Sequence, residues 1–244
     1  MVEGHSVHRI AAQHRARLVG KAFSARSPNG RFTEGARRID GRKMSRIEAL
    51  GKNLLVFFGG HKYDGRAPDV MHVHFGMAGA WTLHDAKNAP DARDTTRLTL
   101  DGHGIISHLS AMTCNIGTED LWEAKRKELG EDPLREDSDP EKLYLRVCES
   151  KKTIGQLLMD QGFFPGVGNI YRAEICFCSG VHPNVKGCDL TREQFARVWG
   201  YSVSLLRRGF ECGSILTVDP EEAIKLGKPK ARRSPSQATD IATL

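Results

Sequence analysis

Long hydrophobic runs are missing from this chain of 244 residues, which excludes a helix crossing a bilayer, since that needs roughly 18 or more successive apolar residues. The opening Met1-Val2-Glu3-Gly4-His5 lacks the basic-then-apolar layout of a secretory signal, so a nuclear or cytoplasmic setting is expected. Cysteines in C-x-x-C spacing are missing too. The six present, Cys114, Cys148, Cys176, Cys178, Cys188 and Cys212, read as reduced and mostly buried thiols. A chain this long has no need of disulfide staples. Neither Cys nor His follows Cys212, which rules out a zinc finger in the last stretch. No metal and no other cofactor is expected. What is plentiful is positive charge: 36 Lys and Arg against 30 Asp and Glu, a net +6. A basic chain is drawn to polyanions, of which nucleic acid is the commonest. Hydrophobic residues, at 39%, suffice for a core.

The first twenty residues read as a helix, with Val7, Ile10, Ala11 and Leu18 on one apolar stripe. Short β-rich pieces follow at Asn53–Phe58, Val70–Phe75, Ala80–Leu83, Thr96–Leu100 and Ile105–His108. Turns such as Gly59-Gly60 and Asp101-Gly102-His103-Gly104 separate them, and the spacing predicts an antiparallel sandwich. Thr118–Leu129 reads as a helix that Gly130-Glu131-Asp132-Pro133-Leu134 ends. Residues 135–141 are polar and proline-terminated, as an interdomain linker would be. Helical patterns then occupy 140–147, 152–160, 169–178 and 191–208. The expected class is α+β in two domains: 1–134, a β-sandwich with a leading helix, and 135–222, helical. The remaining 223–244 is basic, then Ser/Thr-rich, and is expected to be disordered.

The segment Gln161-Gly162-Phe163-Phe164-Pro165-Gly166-Val167-Gly168-Asn169-Ile170-Tyr171-Arg172-Ala173-Glu174 carries the most chemistry. A helix ends near Gln161, a glycine-rich turn follows, and a second helix starts near Asn169. Backbone N–H groups bared by glycines at a helix start can cradle a phosphate, and the Asn169 amide can add to them. Glycines alone would also make a plain helical hairpin; the full string is far more specific.

Gly166-Val167-Gly168-Asn169-Ile170-Tyr171-x-x-Glu174 resembles the helix–two-turns–helix signature of the formamidopyrimidine-DNA glycosylase/endonuclease VIII family. Lys152–Gln161 upstream fits the same family. So do Val2-Glu3-Gly4-His5, Gly51-Lys52-Asn53-Leu54-Leu55, His74-Phe75-Gly76-Met77-Ala78-Gly79 and Leu129-Gly130-Glu131-Asp132-Pro133-Leu134, all in the right order. The His after Gly4 is closer to the endonuclease VIII branch. The resemblance spans residue 2 to about 220 and implies a monomer that excises oxidised bases, chiefly pyrimidines, from damaged DNA and then nicks the strand.

Physical chemistry supports the implied nucleophile. A lysine amine, pKa about 10.4, is almost wholly protonated at neutral pH, whereas an α-amine, pKa about 7.7–8.0, is substantially free. Removal of Met1 would expose that amine on Val2, and a small second residue permits the removal. Most members carry proline here; the primary amine of Val2 can still form a Schiff base. The resemblance makes Glu3 the proton shuttle at the sugar. It sets Lys52, and also Gly168, Asn169 and Tyr171, against DNA. It makes Met77 the apolar wedge that fills the gap left by a flipped nucleotide. Taken singly, Glu3 reads as a charge favoured by a helix dipole, Lys52 as a solvated turn lysine and Met77 as a core residue.

Two departures stand out. Many members place an Arg and a Phe on the loop after the sandwich, and Ser110-Ala111-Met112-Thr113-Cys114-Asn115 has neither. Members usually end in a DNA-binding β-hairpin finger, and Lys225–Arg233 does not read as one. That basic stretch could replace the finger, bind phosphates in a salt-dependent way, act as a nuclear signal or be a solvated tail; or the chain is cut short or alternatively ended. Two other readings compete with the enzyme: a damage-binding protein with weakened catalysis, motivated by Val2 and the absent finger, and a ribosomal-type RNA binder. The latter gives the β-rich first half no role.

Overall fold

The protein, in a computed structural model, is described from residue 2 to residue 218. The expected tail, with Lys225–Arg233, lies outside the described residues. The sandwich half contains α1 (Gly4–Leu18), β1 (Ser24–Arg26), α2 (Thr33–Ile39), β2 (Met44–Leu50), β3 (Asn53–Phe58), α3 (His61–Asp64), β4 (Asp69–His74), β5 (Ala80–Asp85), β6 (Leu98–Gly102), β7 (Ile105–Ser110) and β8 (Thr113–Gly117). Then come α4 (Glu119–Glu128), α5 (Pro140–Cys148), α6 (Ile154–Met159), α7 (Asn169–Ser179) and α8 (Arg192–Cys212). The class is α+β, as the sequence predicts.

The strands form two antiparallel sheets, ordered β1-β6-β7-β5 and β2-β3-β4-β8. Alternation decides which side chains meet between them. Leu54, Val56 and Phe58 of β3 point into the sandwich core, while Leu55 and Phe57 point outward. Trp122 of α4 covers that outer face, its ring 6.0 Å from Phe57. A strand covered on both sides reads as an unbroken apolar run, which is why Leu54–Phe58 shows no polar alternation.

The sequence pattern does not predict β1, α2, β2 or β8. β2 carries Arg46 and Glu48, which look unsuited to a buried strand. The Arg46 guanidinium stacks 3.8 Å over the Phe57 ring, and Glu48 pairs with Arg135 at 3.2 Å. β8 is a polar edge strand that pairs with β4 alone. It turns Thr113–Asn115 of the expected Ser110–Asn115 loop into strand, while Ser110 ends β7 and Ala111 and Met112 remain as the turn.

The helical half has its own core around Leu157, Phe164, Tyr171, Ile175, Val198 and Leu206. Three of its helices begin where side chains satisfy the free N–H groups: Asp139 before Pro140, and capping boxes at Thr153/Gln156 and Thr191/Gln194. The 135–141 connection is tied down at both ends. Arg135 binds Asp137 at 2.7 Å and Glu48 at 3.2 Å, and Glu131 holds both the Asp139 N–H and Lys142 at 2.9 Å.

The leading helix α1 joins the halves, packing on β2 and on α8. Arg9 donates to the carbonyls of Phe210 and Glu211, at 2.7 and 2.9 Å, in the last turn of α8. The negative end of a helix dipole favours a cation there.

Candidate active site

Three glycines from distant parts of the chain meet at the start of α1. The Gly4 N–H donates to the Gly166 carbonyl at 2.9 Å. A Cβ on Gly4 would fall 2.6 Å from Gly166 Cα, and one on Gly51 would fall 2.7 Å from Pro165 Cβ. Gly51 and Gly166 also have φ of +57° and +95°, which L side chains rarely adopt. Backbones can approach this closely only without side chains. The contact brings the N-terminal end of α1, the β2–β3 turn bearing Lys52 and the turn before α7 to one place.

Glu3 stands at the N-cap position of α1 and is fully buried, with Oε2 accepting the Gly168 N–H at 2.9 Å. Oε1 is buried as well and has no hydrogen-bond partner in the protein. Burial pushes the carboxyl above its usual range, against the pull of the Lys52 charge and of the Gly168 and Ile170 N–H groups. Lys52 is half-buried. Burial holds its ammonium below the ordinary range, and the Glu3 carboxylate partly restores it. Val2, beside Glu3, is half-buried against the sandwich core.

Lys52 stands in a two-residue hairpin turn closed by the Leu50–Asn53 pair. Asn53, His74 and Thr113 are in register across β3, β4 and β8, so one sheet edge carries Lys52, the turn after His74 and Met112. Met77 is at the tip of that turn, 76% exposed. Met112 is 62% exposed and fills the space over Gly76, where an added Cβ would meet its Cβ at 3.0 Å and its Sδ at 3.3 Å. Arg97 holds the Met112 turn from behind, donating to the carbonyls of Ala111 and Met112 at 2.6 and 2.9 Å. Both thioethers are thus exposed at this end of the sheet.

Asn169 opens α7 and is exposed on this side. Two expected DNA contacts have other partners within the protein. Tyr171 is fully buried and lies edge-on to His5 at 5.4 Å, so its side chain packs the joint between α1, α7 and α8. Gly209 of α8 makes room, since a Cβ there would lie 2.1 Å from the Tyr171 hydroxyl. Gly168 is also buried, and its N–H is spent on Glu3 instead of a phosphate.

Sequence reading missed two bracing side chains. Gln161 accepts the Gly166 N–H at 3.0 Å and donates to the Val167 carbonyl at 3.1 Å, fixing the glycine turn. Asp132 accepts the Gly51 N–H at 2.6 Å. Both lay inside quoted motifs, but only the fold shows what they hold. Among the described residues, no three His, Cys, Asp or Glu side chains cluster to hold a metal ion.

Comparison with known proteins agrees. Residues 1–110 match the Formamidopyrimidine-DNA glycosylase N-terminal domain, and residues 129–220 the Formamidopyrimidine-DNA glycosylase H2TH domain. Endonuclease 8 1 of Mycobacterium tuberculosis is 35% identical over 225 residues, covering 91% of this chain and 81% of that protein. Endonuclease 8-like 3 of Homo sapiens is 34% identical over 164 residues, 64% of this chain and 25% of that protein. The Lactococcus lactis Fpg solved with DNA containing an abasic site superposes with a TM-score of 0.73 at 20% identity, covering 87% of this chain and 79% of that one. The chain belongs to the formamidopyrimidine-DNA glycosylase/endonuclease VIII family.

Proposed function

We propose that this protein is a base-excision repair DNA glycosylase with abasic-site lyase activity, with oxidised pyrimidines as its preferred bases and the α-amine of Val2 as its nucleophile. The meeting of the Val2–Glu3 start of α1 with Lys52 and the Gly166–Asn169 turn carries this reading. The amine attacks C1′ as the N-glycosidic bond breaks, and the departing base takes up a proton. Glu3 gives a proton to the ring oxygen as the sugar opens to a Schiff base. Loss of a C2′ proton then expels the 3′ phosphate and nicks the strand; water finally frees the amine. A buried carboxyl with a raised pKa suits this exchange, because it holds a proton closer to neutral pH than an exposed one. Lys52 and Asn169 grip phosphates beside the lesion. Met77 and Met112 enter the helix together, and their polarisable sulfurs replace lost stacking. The protein acts as a monomer on DNA inside the cell, in the nucleus or cytoplasm. The likeness to the endonuclease 8 proteins supports the pyrimidine preference.

Borohydride trapping on a duplex with an abasic site, with mass mapping of the crosslinked peptide, tests the nucleophile. The expected crosslink is at Val2 and disappears when the amine is blocked. Tight binding of the same duplex without any crosslink would overturn the enzymatic reading and favour a damage-binding protein.

A further inference from the structure

Asp132 lies in the Leu129–Leu134 loop that joins the two cores and, at 2% exposure, is nearly as buried as Glu3. Its Oδ2 accepts the Gly51 N–H at 2.6 Å and lies 2.8 Å from His8 Nε2, while Oδ1 accepts the Leu134 N–H at 2.9 Å. One carboxylate therefore touches the turn that carries Lys52, the helix that Glu3 caps and the interdomain loop. The turn is otherwise steadied by His74 Nδ1 at 3.1 Å from the Lys52 carbonyl and by Pro165 packed against Gly51. A charge buried this deeply costs more than an apolar residue of similar size would if stability were all it served.

We propose that Asp132 is a positioning residue for Lys52. Its carboxylate locks the backbone before Lys52 to α1, so the ammonium and the nucleophile keep one spacing as DNA enters. The inference rests on the reading of Lys52 as a phosphate contact that assists catalysis. It assigns Asp132 no contact with DNA.

The substitution Asp132→Asn puts an NH2 donor where the carboxylate accepts, so one of the three partners must face a donor. Borohydride-trapping rates on an abasic duplex, under single-turnover conditions, would be measured for the parent, Asp132→Asn, Lys52→Ala and the double variant. Such a cycle isolates the coupling between the two sites. Asp132→Asn is expected to slow trapping by about 10- to 100-fold beside Lys52, the loss typical of a small misplacement, and by less than about threefold in the Lys52→Ala background. Equal losses in both backgrounds would make Asp132 a general interdomain staple and overturn the proposal, as would no loss at all. Full trapping by Lys52→Ala alone would overturn the Lys52 reading first, and the proposal with it. Where Asp132→Asn does not fold, His8→Ala removes the α1 side of the link and leaves the Gly51 contact. It is expected to slow trapping by roughly 3- to 10-fold, again only beside Lys52. A His8→Ala loss that persists without Lys52 would count against the proposal.

Discussion

Glu3 depends on a residue with no side chain. Gly168 has φ −123° and ψ −169°, extended backbone that any residue adopts, so its need for glycine is not conformational. The need is spatial: a Cβ there would lie 2.5 Å from Glu3 Cδ and 2.6 Å from Oε1. Glu3 is fully buried, so its carboxylate could yield only by leaving the Gly168 N–H. Gly168→Ala is expected to slow base removal by at least about 100-fold, because displacements near 1 Å cost that much. The same overpacking should lower stability by about 1–3 kcal/mol. Single-turnover excision of thymine glycol, beside a urea unfolding curve, separates the two effects. Excision within threefold of the parent would show that Gly168 does not hold Glu3 in place. Tyr171 teaches a related lesson. An aromatic beside a glycine-rich turn invites a DNA role in sequence, yet Gly209 and His5, far away in the chain, draw it into the core.

Among the elements, the turns matter most. Gly51 combines a φ of +57° with a Cβ position 2.7 Å from Pro165. Gly51→Ala should therefore incur about 1–2 kcal/mol for the left-handed backbone and a further 1–3 for crowding. Gly104 has φ +72° but open space around it, so Gly104→Ala should incur the backbone cost alone. Urea unfolding of both variants checks this, and equal destabilisation would mean that the domains do not press on Gly51. Legibility followed the same division. β3 to β7, α1 and the later helices could be read because their own side chains carry the period. β2 and β8 could not, because their stability comes from partners: Arg46 on Phe57, Glu48 on Arg135, and β4 beside β8. The site divides likewise. Val2, Glu3, Lys52, Met77 and Asn169 stand in short strings that could be recognised. Two partners of Asp132, Gly51 and His8, lie 81 and 124 residues away, and no local pattern points to them.

Over the whole molecule, three buried histidines tie the fold to pH. His5 lies against Tyr171, His14 lies 4.5 Å from the Trp81 ring, and His72 bonds Asn53 at 2.8 Å. Burial holds each imidazole down to about 4, from an ordinary value of 6.5. The folded protein keeps them neutral while the unfolded chain protonates them below about 6.5, so their contribution is complete above that pH and lost as the pH falls towards 4. At about 1.4 kcal/mol per unit, each removes on the order of 3 kcal/mol across that window. Glu3 runs the other way: its raised carboxyl loses stability as pH rises through its folded value and regains it on acidification. One carboxyl offsets only part of the loss from three histidines. Asp64, which the Arg42 guanidinium holds down to about 2, loses its contribution only below the ordinary value of 3.8. The fall between pH 6.5 and 4 is therefore expected to belong to the histidines. Urea unfolding free energies should drop by several kcal/mol over this range. His14→Phe, which keeps a ring against Trp81 and removes the titration, should make the pH profile shallower. An unchanged slope in that variant, or a profile flat from pH 7 to 4, would mean that these imidazoles are hydrated enough to keep ordinary values.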